Sequence, residues 1–120
     1  MKILHINGTI EGGAANYVFK LHEDLIKKKI KSYLYLPKKV SKKNIIYPNN
    51  KFNNLYFFLK NLIVRKYFKY LLKNEETNSI AFFFSNYLKK KIEEIDPDLI
   101  NLHWIGNEVI SIKQIKEIKK

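Results

Sequence analysis

The chain contains no cysteine, only three prolines and four glycines, and 11 acidic residues against 23 lysines and arginines. Without cysteine there is no disulfide framework, no thiolate zinc cluster and no thiol nucleophile, a usage that fits a reducing cytoplasm. The start from Met1 to His5 holds a short apolar run, but Asn7, Gly8 and Glu11 interrupt it too early for a secretory leader. Uninterrupted apolar runs also fall short of the ~20 residues that cross a bilayer. The longest candidate, Leu55 to Leu72, contains Lys60, Arg65, Lys66 and Lys69. The expected state is soluble or peripheral.

What is present suffices for a core. Apolar residues make up 46% of 120, with eight Phe, eight Tyr and one Trp, which excludes wholesale disorder. The length is that of one modest domain. A formal charge of +12 attracts nucleic acid, acidic lipid or phosphorylated small molecules. The crowding of Lys with Asn and Ile also matches the codon bias of an AT-rich genome, so the charge alone assigns no partner.

Hydrophobic patterning predicts an α/β chain. Lys2 to Ile6 reads as a buried parallel strand, followed by the loop Asn7 to Gly13. A helix is expected from Ala14 to Lys27-Lys28-Lys29, with Ala14, Ala15, Val18, Leu21, Leu25 and Ile26 on its apolar face. Ser32 to Leu36 is a second strand, stopped by Pro37, which completes a βαβ unit of a parallel sheet. Residues 37–54 read as a long loop. Leu55 to Lys73 reads as a helix with Arg65, Lys66, Lys69 and Lys73 on one stripe and Ile63, Val64, Tyr67, Phe68, Tyr70 and Leu71 opposite. Ile80 to Phe84 fits a short strand or an extended lead-in. A third helix, capped by Ser85 or Asn86, runs to about Ile95 before Asp96-Pro97. Asp98 to His103 is the next strand, Trp104 to Glu108 its loop, and Ser111 to Lys119 a last helix buried through Ile112, Ile115 and Ile118. A strand is expected to follow such a helix, so the sheet reads as unfinished.

Several motifs invite chemistry. A glycine turn between strand and helix lets backbone approach a ligand, and the N–H groups near Ala14 suit phosphate. Gly8 and Gly13 have the outer spacing of a Walker A loop, but Ala14-Ala15 replaces its lysine and hydroxyl, and the dinucleotide glycine pattern is absent. The loop is therefore a ligand turn or a plain tight turn. Asp96-Pro97-Asp98 resembles a metal-holding D-x-D pair, yet turn chemistry accounts for all three residues. His103 and Trp104 end a strand where open α/β sheets place ligands, as a hydrogen-bond donor and a sugar platform or as core residues. His5 and His22 read as structural, and no metal-ligand spacing links the three histidines. The stripe at Arg65, Lys66, Lys69 and Lys73 is a solvated face, an anionic-membrane contact or a nucleic-acid patch, in that order.

Two separated runs carry a resemblance. Met1 to Asn7, then Gly12-Gly13-Ala14-Ala15 and Phe19-Lys20-Leu21-His22, followed much later by Pro97 to Ile105, resemble the opening of bacterial family 4 glycosyltransferases. The subgroup that builds colanic-acid-like exopolysaccharide and other surface glycans is the most similar. The resemblance implies the N-terminal, acceptor-side domain of a GT-B enzyme: a Rossmann-like parallel sheet with flanking helices, facing a second such domain. The implied activity is retaining transfer of a hexose from a nucleotide-sugar donor to a glycan or lipid-linked acceptor in surface polysaccharide biosynthesis. It needs no metal and no further cofactor, in the cytoplasm or peripheral on the inner face of the cell membrane.

Residue by residue, the resemblance makes Gly12, Gly13 and Ala14 the phosphate-side loop and Asn7, His103 and Trp104 the acceptor-cleft candidates. The family usually carries Arg where Asn16 stands, so that anion contact is lost. A further strand ending in Leu-His-Asp, and a donor domain with paired glutamates, are expected beyond these residues. The chain alone is expected to be inactive, because the groups that stabilise the departing nucleotide are elsewhere. The alternatives are a small basic nucleic-acid-binding module, disfavoured because it rests on charge alone, and a truncated gene product without present function.

Overall fold

A computed structural model of the protein describes residues 1–49, 51–71 and 85–118. Its elements in chain order are β1 (Lys2–Ile6), α1 (Gly12–Lys27), β2 (Lys31–Tyr35), β3 (Ile45–Ile46), α2 (Lys51–Leu71), α3 (Asn86–Ile95), β4 (Leu99–Leu102) and α4 (Ile112–Glu117). The four strands form one sheet in the order β3-β2-β1-β4, and every pairing is parallel. This is an α/β fold, compatible with a Rossmann-like arrangement, whose strand order also begins 3-2-1-4.

The central strand explains its own sequence. Ile3, Leu4, His5 and Ile6 are all buried, because β1 is paired on both edges and covered on both faces. Leu4 and Ile6 point into a core with Tyr35, Leu88, Val109 and Ile110. On the other face Val18 of α1 packs on Leu34 and Leu36. Each such fully buried aliphatic side chain contributes roughly 1.5–3 kcal/mol.

The helices begin and end where local chemistry dictates. The Ser85 hydroxyl accepts from the Leu88 N–H, and Asp96 closes α3 in a left-handed conformation at φ 47°. Ser111 and Gln114 form a capping box on α4. Gln114 does more than cap. Its buried amide accepts from the Ser85 N–H at 2.9 Å and donates to the Ser85 carbonyl at 3.0 Å, which locks the start of α3 to the start of α4.

Several expectations need correction. α1 starts two residues earlier than its apolar pattern, so Gly12 and Gly13 are its first turn. Its buried stripe is Ala15, Val18 and His22, while Leu21, Leu25 and Ile26 are only half-buried. Residues 37–54 are not all loop: Ile45–Ile46 pair with Leu34 and Tyr35, and α2 begins at Lys51. On α4 the buried residue is Gln114, and Ile112 is 55% exposed. α2 departs furthest. Among its described side chains Lys60 and Val64 are buried, whereas Leu55, Phe58, Leu59, Leu62, Ile63 and Tyr70 are exposed. These six large apolar side chains thus face outward. Lys73 and the segment Ile80 to Phe84 lie outside the described residues.

Candidate functional site

The carboxyl ends of β1 and β4 are tied together by one side chain. Asn7 is fully buried just past β1. Its amide N–H donates to the Thr9 carbonyl at 2.8 Å, and its carbonyl accepts from the Trp104 N–H at 3.0 Å. Beside it the Gly8 N–H donates to the Trp104 carbonyl at 2.6 Å, and the Asn107 amide donates to the Gly8 carbonyl at 3.1 Å. A Cβ on Gly8 would collide with the Gly106 carbonyl and lie 3.1 Å from the Trp104 oxygen. Gly8 is therefore the glycine that a close approach demands. The sequence points to backbone approach at the glycine turn towards a ligand, whereas Gly8 approaches the backbone of the loop after β4.

Gly12 has a different reason to be glycine. Its φ of +84° is a conformation other residues rarely adopt, and neither it nor Gly13 has anything within 4 Å of a built Cβ. The first turn of α1 opens onto solvent, with no side-chain cap from Glu11. Ala14 is half-buried behind it.

Three histidines gather on the α1 face. His5 Nδ1 and His103 Nε2 share a hydrogen bond of 2.9 Å, and the Tyr17 ring lies 6.0 Å from His103. The His5 Nε2 atom is buried without a hydrogen-bond partner. A second proton on His5 would set N–H against N–H or bury an unpaired charge. Burial first, then the neighbouring His103 and His22, push its pKa down to about 4. His22 is a staple: Nε2 donates to the Lys43 carbonyl at 2.9 Å, so Nδ1 of the neutral ring accepts from the Ser32 hydroxyl at 2.7 Å. Burial lowers its pKa too, as it does for His103. His103 and Trp104 thus stand at the same edge of the sheet as the glycine turn, with Trp104 40% exposed.

A cleft of about 780 Å³ opens on the other flank of this edge. Gly8 to Glu11, Pro37 to Lys39, Tyr47 to Asn49, the α2 residues Phe58, Asn61, Val64 and Arg65, and Asn107 with Glu108 line it. Asn7, Gly12, Gly13, Ala14, His103 and Trp104 are outside its walls. Of the basic stripe, Arg65 faces the cleft, while Lys66 and Lys69 are exposed on α2. Lys60 holds that wall in place. It is 3% exposed, and its ammonium donates to the Glu108 carbonyl. Burial, partly offset by the Glu108 charge, lowers its pKa to about 8. Sequence reasoning took Lys60 for an interruption of an apolar run. Its i,i+4 spacing to Val64 was the available signal.

Asp96-Pro97-Asp98 lies at the opposite edge. Asp98 accepts from the Lys2 N–H at 2.5 Å, at the amino end of β1. Among the described residues no group of three or more His, Asp or Glu is placed to hold a metal ion.

Two measurements probe this geometry. In urea denaturation Gly8→Ala is expected to cost about 1–3 kcal/mol, because two backbones must move apart. Gly13→Ala, in open space on a helix, should instead gain about 0.5–1 kcal/mol. The histidines set the pH dependence. Their pKa values are depressed on folding, so below the unfolded value of 6.5 the unfolded chain binds more protons. Stability should hold above pH 6.5 and fall as the pH drops below it, with the His5 contribution lost down to about pH 4. His5→Leu should flatten that fall.

Comparison with protein-family models, with curated proteins and with solved structures finds no match for this chain.

Proposed function

We propose that this chain is the acceptor-side domain of a retaining, GT-B type glycosyltransferase that works with a nucleotide-sugar donor in surface polysaccharide synthesis. The observation that carries the reading is the common edge. The strand-to-glycine-turn at Asn7 to Gly12 and the strand end at His103 and Trp104 belong to neighbouring parallel strands and open in the same direction. Support also comes from the 3-2-1-4 strand order, since open α/β sheets bind ligands where that order reverses, here between β1 and β4.

On this reading His103, polarised by His5, offers its ring to an acceptor hydroxyl, and the half-exposed Trp104 and Tyr17 present apolar faces to a sugar. The donor nucleotide and the charge at the anomeric carbon belong to a second domain. The 120-residue chain is then expected to give no nucleotide release from UDP- or GDP-sugars in calorimetric titration. Oligosaccharide acceptors should shift the amide resonances of Tyr17, His103 and Trp104. Turnover of a nucleotide sugar by this chain would overthrow the assignment to the acceptor side. Tight RNA binding with a steep salt dependence, and no response to glycans, would replace the reading with a nucleic-acid module.

A membrane-facing role fits the same enzyme, on the inner face of the cell membrane. Among the described residues no helix is long and apolar enough to cross a bilayer. α2 nevertheless carries Leu55, Leu59 and Leu62 outward beside Lys66 and Lys69. Such a face enters the head-group region of anionic lipid, where each lysine contributes about 1 kcal/mol. Co-sedimentation with vesicles containing phosphatidylglycerol should exceed that with phosphatidylcholine alone and drop sharply in Leu59→Ser/Leu62→Ser. Equal sedimentation of parent and variant would remove the membrane from the proposal.

A further inference from the structure

We propose that the cleft beside α2 binds a phosphorylated sugar. That such a ligand serves a transferase rests on the preceding reading; that it binds here, away from His103 and Trp104, rests on the cleft alone. The volume, about 780 Å³, lies in the range of small-ligand pockets. Three cations line it from two sides. Lys38 and Lys39 follow Pro37 where the chain leaves β2, and Arg65 projects from α2.

These three charges share one cleft, whereas other cations without an ion pair among the described residues, such as Lys20, Lys66 and Lys113, lie outside it. Lys27, Lys42, Lys90 and Lys91 each stand against a carboxylate. Lys38, Lys39 and Arg65 have no ion-pair partner among the described residues. Two acids also line the cleft. Glu108 is fully buried beside Lys60, so it opposes a ligand weakly, and Glu11 at the rim is exposed. Solvent-reachable charge in the cleft is thus three positive against one negative. A phosphate dianion has three oxygens to share among an arginine fork and two ammonium groups, and a single carboxylate has fewer.

The rest of the lining suits a ring. Tyr47 and the exposed Phe58 offer apolar faces, and Thr9, Asn49 and Asn61 supply the polar groups that orient hydroxyls. Phosphate alone would leave these walls unused. An unphosphorylated sugar would leave three cations facing one another.

The test is an amide chemical-shift titration of the 120-residue chain with glucose 1-phosphate, inorganic phosphate and glucose. Glucose 1-phosphate should move the amides of Lys38, Lys39 and Arg65, and bind ~10-fold tighter than either half, the worth of one charge-assisted contact. Arg65→Gln and Lys39→Gln should each weaken it by about 5–10-fold on the same grounds. Lys113→Gln, on the exposed side of α4, should leave it unchanged. Equal binding of glucose and glucose 1-phosphate at these amides overturns the anion claim while leaving a sugar-acceptor reading intact. Equal binding of inorganic phosphate and glucose 1-phosphate overturns the sugar claim. Shifts confined to Tyr17, His103 and Trp104 overturn the cleft as the site.

Discussion

The side-chain amide of Asn7 is the contact on which the functional edge depends. β1 and β4 are neighbours in the sheet but far apart in sequence, and their ladder ends at Ile6 and Leu102. Beyond that point each strand turns away, leaving backbone groups that must find partners or be lost to the core. Asn7 donates to one loop and accepts from the other, which an aspartate could not do while ionised. From this link a sequence of contacts runs outward. Gly8 reaches Trp104, Asn107 reaches Gly8, and Lys60 reaches the Glu108 carbonyl beside it. The position of α2, and so one wall of the cleft, derives from the end of the first strand.

Electrostatics follows the same division between inside and outside. The excess of twelve positive charges is a property of the whole chain, but its effects are local. Pairs such as Lys27 with Asp24 and Lys90 with Glu94 are exposed and contribute little to stability. Lys60 is the opposite case, a charge carried into the interior and held by backbone. The unpaired cations at the cleft neither hold the fold nor lose solvation in it. Their lack of an ion pair among the described residues is shared with many surface lysines; their position around one cleft is not.

Much of this fold was legible because its signals were long or chemically sharp. β1 was read to the residue from an unbroken apolar run, and the end of α3 from Asp96-Pro97. β3 was invisible, since two residues carry no periodicity and Ile45–Ile46 acquire their role only by pairing with Leu34 and Tyr35. The face of α2 was misread because lysine was counted as outward and tyrosine as inward, while packing chose Lys60 and Val64. Gln114 was missed for a related reason. A buried glutamine looks polar in sequence, and its two partners at Ser85 lie 29 positions away. At the site, Asn7, His103 and Trp104 were grouped by the resemblance, and they lie at the ends of the neighbouring strands β1 and β4. The cleft was not foreseen, because its walls come from loops that only the Asn7 link and Lys60 bring together.

The link that organises the edge also divides it. The Gly8-to-Trp104 hydrogen bond joins the loops that follow β1 and β4, at the point where the strand order reverses. Two surfaces remain on either flank. On the α1 flank the Tyr17 ring lies 6.0 Å from His103, and burial disfavours a charge on His5 and His103. On the α2 flank lies the cationic cleft. An uncharged aromatic surface favours contacts by ring shape, and a group of cations favours anions. Under the proposed function, the two flanks of the Gly8–Trp104 bond would therefore meet a glycan with different physical chemistry.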